Sequence, residues 1–161
     1  MILMTRVDHR LLHGQVAIAW TSHLDINCIL IANDTVAKND FRKSILRLAK
    51  PLDCKLVFNS IEDSANAIND GKTDSYRLFI IVGTVYDAYR LCEKCDYIKE
   101  VNIGLSQNKE GAKAISRSVY LTTGEIDDIK ELDKRGIRLF LKQTPSGIEK
   151  SINDMIANGE L

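Results

Sequence analysis

The sequence predicts an α/β protein with an open, doubly wound, mostly parallel sheet of about seven strands and helices on both faces. Strand-like and helix-like segments alternate along the chain and are joined by short connections. Two of the strand-like segments, residues 27–32 and 77–82, are nearly unbroken apolar runs, as expected for parallel strands buried on both faces. Right-handed crossovers between such strands produce a doubly wound architecture.

The seven predicted strands are residues 2–6, 27–32, 55–59, 77–82, 100–105, 118–121 and 137–142. Each is a short run rich in branched or aromatic residues that ends at a polar or glycine-containing turn. The last of them can join the sheet in parallel or as an antiparallel edge strand, and the pattern leaves both arrangements open.

The six predicted helices are residues 14–23, 40–49, 61–69, 85–94, 125–134 and 146–157. Asn39 is placed to cap the second helix. The third, fifth and sixth helices follow pairs with capping-box spacing, which are Ser60 with Asp63, Thr122 with Glu125, and Ser146 with Glu149. Helix ends are marked by Pro51, Gly71 and Gly136.

Composition restricts the class of protein. The 161 residues, 45% of them hydrophobic, are enough for a sizeable core, and we expect one domain over residues 1–161. Basic and acidic residues number 22 each, which argues against a nucleic-acid surface. No apolar run approaches the roughly 20 residues that span a bilayer, and the start of the chain lacks the pattern of a signal peptide. We therefore expect a soluble, cytoplasmic protein without direct membrane insertion.

Four cysteines offer a possible metal or redox site. Cys28 and Cys54 lie in strand-like runs and are interpreted as core residues. Cys92 and Cys95 form a single C-x-x-C that closes a helix, whereas the thioredoxin-like motif opens one. A structural zinc site needs about four ligands, and no second pair is present. A structural role for all four thiols is favoured over metal binding or redox chemistry.

The chain's most informative segment is the turn after the first strand, Arg6-Val7-Asp8-His9-Arg10-Leu11-Leu12-His13-Gly14-Gln15. Open α/β sheets bind ligands at such strand ends. His13 can act as a nucleophile near neutral pH, and Asp8 could orient it or hold Arg10. Arg10 could grip phosphoryl oxygens, while Gly14 and the helix N-terminus would admit a dianion. The cluster predicts a histidine that accepts and transfers a phosphoryl group, although a surface loop with structural ion pairs remains the alternative.

This segment resembles the IIB component of the mannose/fructose/sorbose family of the bacterial phosphotransferase system, which reads R-[IV]-D-x-R-L-[IL]-H-G-Q-V. The resemblance covers essentially the whole chain. It continues through Trp20, Asn33-Asp34-x-Val36-Ala37, Phe41-Arg42-Lys43, Val101-Asn102-Ile103-Gly104 and Leu132-Asp133-x-Arg135-Gly136-Ile137.

The resemblance implies a phosphocarrier. His13 would accept a phosphoryl group from a IIA protein, expected as a separate chain. It would pass the group to a mannose, fructose, sorbose or amino-sugar substrate carried by the membrane components IIC and IID. Asp8 and Arg10 match positions that support the histidine, and no metal or organic cofactor would be required. The positions implied for phosphate binding are Arg6, Arg10, Gly14 and Gln15.

One loop departs from the family pattern N-[IV]-G-G-M-x-x-[RK]-x-G-[RK]. Residues 102–112 keep Gly104, but a leucine and a serine replace the second glycine and the methionine, and Ala112 replaces the last basic residue. Lys109 keeps one positive charge. We expect Gly104 and Lys109 to belong to a second loop near the first turn, and the departure leaves sugar class and partner open.

Two other functions compete with transport. The altered loop is compatible with a regulatory module that is phosphorylated on His13 without taking part in transport. A histidine phosphatase also places its nucleophile after the first strand, within Arg-His-Gly. Leu12 stands where that adjacent arginine would be, and no well-placed second histidine is evident.

Overall fold

A seven-stranded sheet forms the centre of the computed structural model, which describes residues 1–161. Its strands, in chain order, are β1 (Ile2–Asp8), β2 (Cys28–Ala32), β3 (Lys55–Asn59), β4 (Leu78–Val82), β5 (Glu100–Leu105), β8 (Arg138–Leu141) and β9 (Lys150–Ser151). A separate hairpin contains β6 (Lys113–Ala114) and β7 (Tyr120–Leu121). The spatial order is β3-β2-β4-β1-β5-β8-β9, and every pairing in this sheet except β8 with β9 is parallel.

Six helices cover the sheet, and they are α1 (Gly14–Leu24), α2 (Asp40–Arg47), α3 (Ile61–Asn69), α4 (Val85–Lys94), α5 (Thr123–Lys134) and α6 (Ile152–Ala157). A 3-10 turn, Val36–Lys38, precedes α2. The predicted caps at Asn39, Ser60 and Thr122 are confirmed, because each side chain accepts a backbone N–H from the first turn of its helix.

The core has two layers, one on each face of the sheet. Buried residues of α1 and α2 pack on one face, and those of α3, α4, α5 and α6 pack on the other. Every residue of β2 and β4 is buried, which agrees with their unbroken apolar sequences. The predicted doubly wound, mostly parallel sheet with helices on both faces is therefore confirmed.

The prediction that residues 118–121 form a strand of the main sheet was wrong. Of residues 118–121, only Tyr120 and Leu121 are extended in a ladder, and they pair with β6 outside the main sheet. The reason is that β8 occupies the position beside β5. The preceding segment instead bonds to the loop after β5, where Ser106 donates its backbone N–H to the Ser118 carbonyl.

The last predicted helix begins later than expected. The Ser146–Glu149 capping box is absent, because the Glu149 carboxylate pairs with Arg138. Ser151 caps the helix instead, accepting the Asp154 N–H, and α6 starts at Ile152. Just before it, β9 pairs antiparallel with β8 and forms the edge of the sheet, so the predicted strand at 137–142 is an inner, parallel strand.

All four cysteines are buried and free. The core assignment of Cys28 and Cys54 is confirmed by their burial. Cys92 and Cys95 pack in the larger core layer, and burial raises the pKa of Cys92 to about 12. A thiol held in its neutral form in this way is a poor nucleophile and a poor metal ligand. No helix of the chain has the length and apolar character that crossing a bilayer requires.

Candidate functional site

The first turn lies where the chain changes from one face of the sheet to the other. β1 leads to α1 on one face, whereas its neighbours β4 and β5 lead to α4 and α5 on the opposite face. The connections therefore diverge beside β1 at the carboxyl edge of the sheet, and such a switch point is the usual ligand position in open α/β folds.

Two buried leucines hold the turn in place. Leu11 and Leu12 are each 3% exposed and belong to the core layer beneath α1. Leu11 has a φ of 61°, a left-handed conformation that a branched residue adopts only when its surroundings enforce it. The His9 N–H donates to the Leu105 carbonyl at 3.0 Å and so ties the turn to the end of β5. These contacts fix the position of His13, which is the residue immediately before α1.

The imidazole of His13 is joined to the carboxylate of Asp8. Nε2 of His13 lies 2.8 Å from Oδ2 of Asp8, and the two side chains are 14% and 1% exposed. The other carboxylate oxygen accepts the backbone N–H of Arg10 at 2.9 Å. A carboxylate at Nε2 favours the tautomer with the proton on that nitrogen, so the lone pair is on Nδ1. The His13 side chain makes no capping bond to α1.

Arg6 lies behind Asp8 and is 2% exposed. Its Nε and one terminal nitrogen each approach Oδ2 of Asp8 at 3.3 Å. The other terminal nitrogen donates to Oδ1 of Asn102 at 2.7 Å and to the Lys142 carbonyl at 3.1 Å. Burial lowers the pKa of the Arg6 guanidinium, and the Asp8 carboxylate opposes that shift.

The position of Arg6 bears on the phosphate-binding role that the resemblance implies for it. Side chains alternate along β1, so Arg6 and Asp8 share the α1 face, while Val7 packs in the opposite core layer. This places the Arg6 guanidinium inside the protein, where its donors are occupied by Asp8, Asn102 and Lys142. Of the two roles considered for Asp8, contact with His13 is present, whereas the Arg10 side chain forms no ion pair with Asp8, whose partner is Arg6.

Asn102 is a supporting residue that the sequence reasoning missed as a site residue. It is completely buried on β5, opposite Arg6 in the register. Its amide donates to the carbonyls of Phe140 at 3.4 Å and Lys142 at 3.0 Å. Hydrogen bonds thus run from β8 through Asn102, Arg6 and Asp8 to His13. The signal for it was an asparagine between Val101 and Ile103 in an otherwise apolar strand, since a buried amide must find partners.

Gly104 provides space rather than a phosphate contact. A Cβ atom at this position would overlap the guanidinium carbon and both terminal nitrogens of Arg6. The predicted proximity of this loop to the first turn is correct, as the register of β1 and β5 shows. The absent side chain at Gly104 therefore allows Arg6 to be buried.

Lys109 does not join the residues of the first turn. Its ammonium lies 3.2 Å from Oε1 of Glu125, and the two side chains are 49% and 10% exposed. Glu125 closes the capping box with Thr122 at the start of α5. The ion pair therefore fastens the altered loop to α5, and it gives Lys109 a partner other than a ligand at His13.

The remaining predicted residues form the outer side of the site. Arg10, Gly14 and Gln15 are exposed, and the Arg10 side chain makes no ion pair or hydrogen bond. Gly14 has a φ of 31° and begins α1 beside His13. The first N–H groups of a helix have no partner within it, so this end of α1 presents free donors and a positive dipole beside the imidazole.

Known proteins resemble this chain along nearly its full length. The family described as the sorbose subfamily IIB component of the phosphotransferase system (PTS) matches residues 2–161. The N-acetylgalactosamine-specific phosphotransferase enzyme IIB component 1 of Escherichia coli K12 is 32% identical, with 95% of this chain and 97% of that protein covered. A probable phosphotransferase enzyme IIB component of Streptococcus pyogenes serotype M6 is 35% identical, with coverages of 97% and 99%.

Two further comparisons concern the fold and the chain length. The crystal structure of the IIB domain of the Klebsiella pneumoniae sorbose permease has a TM-score of 0.91 and 28% identity, covering 98% of this chain and 97% of that one. The mannose-specific EIIAB component of E. coli K12 is 27% identical over 154 residues, which are 96% of this chain and 48% of that protein. The present chain thus spans about half of that longer relative.

Proposed function

The chain belongs to the sorbose subfamily of IIB components of the sugar phosphotransferase system, and from that premise we propose that it carries a phosphoryl group on His13. IIB components of this system are transferases of sugar transport that work with IIA proteins and membrane components. The observation that carries the finer proposal is the 2.8 Å contact between Nε2 of His13 and the buried carboxylate of Asp8.

That contact favours Nδ1 as the reacting nitrogen. With its proton held on Nε2 by Asp8, the imidazole offers the lone pair of Nδ1 to the phosphorus of the donor phosphohistidine on IIA. As the new N–P bond forms, the N–P bond on the donor breaks, and the His13 ring becomes positively charged. The Asp8 carboxylate stabilises that charge, the role a buried carboxylate plays beside a reacting histidine.

The incoming phosphoryl group needs donors for its oxygens. The free N–H groups at the start of α1, including those of Gly14 and Gln15, and the positive end of the helix dipole are placed to provide them. The unpaired guanidinium of Arg10 is the side chain suited to bind two oxygens at once. Positioning and electrostatics of this kind supply most of what phosphoryl transfer requires.

Arg6 supports this chemistry without touching the phosphoryl group. Burial of a carboxylate such as Asp8 costs free energy unless a cation and hydrogen bonds accompany it. Arg6 provides both, and Asn102 fixes Arg6 in turn. We therefore assign Arg6 and Asn102 as positioning residues and Arg10 as the phosphate clamp.

In the second half of the cycle the phosphoryl group leaves Nδ1 for a hydroxyl of the sugar, which IIC and IID hold at the membrane. The relatives named above are N-acetylgalactosamine-, sorbose- and mannose-specific by name, so we propose a sugar of the mannose, fructose, sorbose or amino-sugar class as the acceptor. The protein would work in the cytoplasm, at the membrane surface through its transporter. The pattern of donors requires no metal or organic cofactor.

The deciding experiment is phosphorylation by a reconstituted donor chain that ends in a matched IIA, followed by intact mass and phosphohistidine mapping. One acid-labile phosphoryl group on Nδ1 of His13 is expected. His13→Ala should take up none, whereas the matched variants His9→Ala and His23→Ala should be labelled like the wild type. Label on the His13→Ala protein would exclude the proposal.

A regulatory role is the second candidate, and it rests on the altered loop that Lys109 fastens to α5. The loop borders the site, so its changed sequence could alter which partner docks there. Expression in a strain that lacks its own IIB separates the two functions. Restored sugar uptake would establish transport, whereas phosphorylation without uptake would favour regulation.

A further inference from the structure

The outward face of α2 carries a row of exposed apolar side chains. Phe41, Ile45 and Leu48 follow one another at spacings of four and three residues, and their exposed fractions are 75%, 48% and 87%. Leu52, just beyond the helix, is 91% exposed. We call these four residues the α2 stripe. Within α2 only Leu46 is buried, so most of the helix's apolar surface faces outward.

Basic residues border the stripe. Residues 38–53 contain Lys38, Arg42, Lys43, Arg47 and Lys50, but only two acidic residues, in a chain whose formal charge is zero. Lys43 and Arg47 lie over the Phe58 ring on one side of the helix, at 5.9 and 5.3 Å from its centroid. Arg42 projects on the other side, because it lies about 100° around the helix from Phe41.

We propose that the α2 stripe binds the headgroup region of an anionic lipid bilayer. Exposed apolar residues flanked by Lys and Arg on a helix parallel to the surface form the pattern that interfacial helices use. The side chains would enter the acyl boundary while Arg42 and Arg47 meet lipid phosphates. Lys43 and Lys50 contribute less, because Lys43 pairs with Asp40 and Lys50 donates to the carbonyls of Pro51 and Cys54. This inference is independent of the phosphocarrier role, since none of its residues contacts the first turn.

Charge and shape favour lipid over the other occupants. A second copy packed on the stripe would oppose two sets of basic residues, which is unfavourable. Leu48 and Leu52 project almost fully into solvent, so they suit a soft layer that closes around them. The other exposed large apolar residues, such as Ile18, Tyr97 and Ile148, are scattered singly over different elements, which is ordinary for a protein surface.

The test is co-sedimentation of the full chain with vesicles of phosphatidylglycerol and phosphatidylcholine, compared with vesicles of phosphatidylcholine alone. The wild type should bind the anionic vesicles, and added salt should weaken that binding. In Phe41→Ser/Leu48→Ser the partition constant should fall by about tenfold or more. Ile148→Ser, which removes an equally projecting apolar side chain elsewhere, should bind like the wild type.

Three results would overturn the inference. They are no binding of the wild type to anionic vesicles, unchanged binding of the double variant, and a concentration-dependent dimer that the double variant abolishes. Phosphorylation by IIA in solution, measured on the same double variant, should be unchanged. Vesicle binding and phosphorylation are thus measured separately on the same protein. Failure of the phosphocarrier proposal would appear as lost phosphorylation, and it would leave vesicle binding intact.

Discussion

Arg6 and Arg10 are four residues apart in one turn, yet their environments are opposite. The guanidinium of Arg6 is buried and bonded to Asp8 and Asn102, whereas the side chain of Arg10 is exposed and unpaired. The buried arginine holds the position of the carboxylate that contacts His13. The exposed arginine keeps its donors free for a ligand. The two arginines therefore differ in role because they differ in burial, although the residue type is the same.

The largest effect is expected from Asp8→Asn. The amide would leave the Arg6 charge without its partner, which costs about 3–5 kcal/mol of folding stability. It would also allow the wrong tautomer of His13, so the rate of phosphorylation should fall by roughly a thousandfold or more. Single-turnover transfer from phosphorylated IIA measures the rate, and urea unfolding measures the stability. A rate within tenfold of the wild type would show that Asp8 does not set the tautomer.

Gly104→Ala should displace the buried Arg6 side chain, although Gly104 lies on β5 and not in the first turn. The added methyl group would overlap the Arg6 guanidinium and force it to move, at a cost of about 1–3 kcal/mol. Phosphotransfer should slow as Asp8 loses its support. Gly124→Ala is the matched control, because nothing lies within 4 Å of its added Cβ, and its unfolding midpoint should be unchanged or slightly raised. Equal stability of the two variants would contradict the packing role of Gly104.

Arg10→Lys should slow transfer by about tenfold, since the ammonium keeps the charge but loses the planar fork. Its stability should stay within about 0.5 kcal/mol of the wild type, because the side chain makes no internal contact. Arg6→Lys, by contrast, should lower the urea midpoint as well as slow transfer, because the contacts of the buried guanidinium with Asp8 and Asn102 are lost. If both variants lost stability and activity in the same proportion, the distinction between the two arginines would be wrong.

Asp34 is an exposed carboxylate to compare with the buried Asp8, and its substitution should have the smallest effect on stability. Its Oδ1 accepts the backbone N–H of Ile61, and its Oδ2 pairs with Arg90, yet its side chain is 50% exposed. The Ile61 N–H, followed by Arg90, lowers the pKa of Asp34. Because the folded pKa is depressed, the stabilisation is present above the unfolded pKa and is lost as pH falls through the folded value.

Solvent screening limits that stabilisation to less than about 1 kcal/mol. Urea midpoints of the wild type and Asp34→Asn should therefore differ slightly and by a constant amount from pH 7 down to about pH 4, and converge only as the pH falls further, through the depressed folded pKa of Asp34. A difference that persists undiminished well below about pH 4 would mean that the Asp34 charge has no part in stability.

The sequence predicted the features that depend on neighbouring residues. The unbroken apolar runs predicted β2 and β4, and the caps at Asn39, Ser60 and Thr122 depend on contacts within one turn. The contact between Asp8 and His13 spans five residues and was one of the two roles considered for Asp8.

Features that depend on residues far apart in the chain could not be predicted from local sequence patterns. Arg6 could not be recognised as buried, because the groups that satisfy it, Asn102 and the Lys142 carbonyl, are 96 and 136 residues away in the chain. The edge strand β9 has only two residues, too few to show a period. Without it, the apolar residues from Ile148 onward were assigned to one continuous helix.

The anchoring of the first turn by Leu11 and Leu12 bears on how quickly partners can exchange. Their burial orders the segment before any encounter, so docking does not have to meet the entropic cost of folding a loop. A small contact area then suffices for recognition, and the complex can dissociate soon after it forms. In the proposed phosphocarrier cycle the chain visits two partners in turn, so brief encounters would favour turnover, and the two leucines would thus influence flux although neither belongs to the proposed phosphate-binding residues.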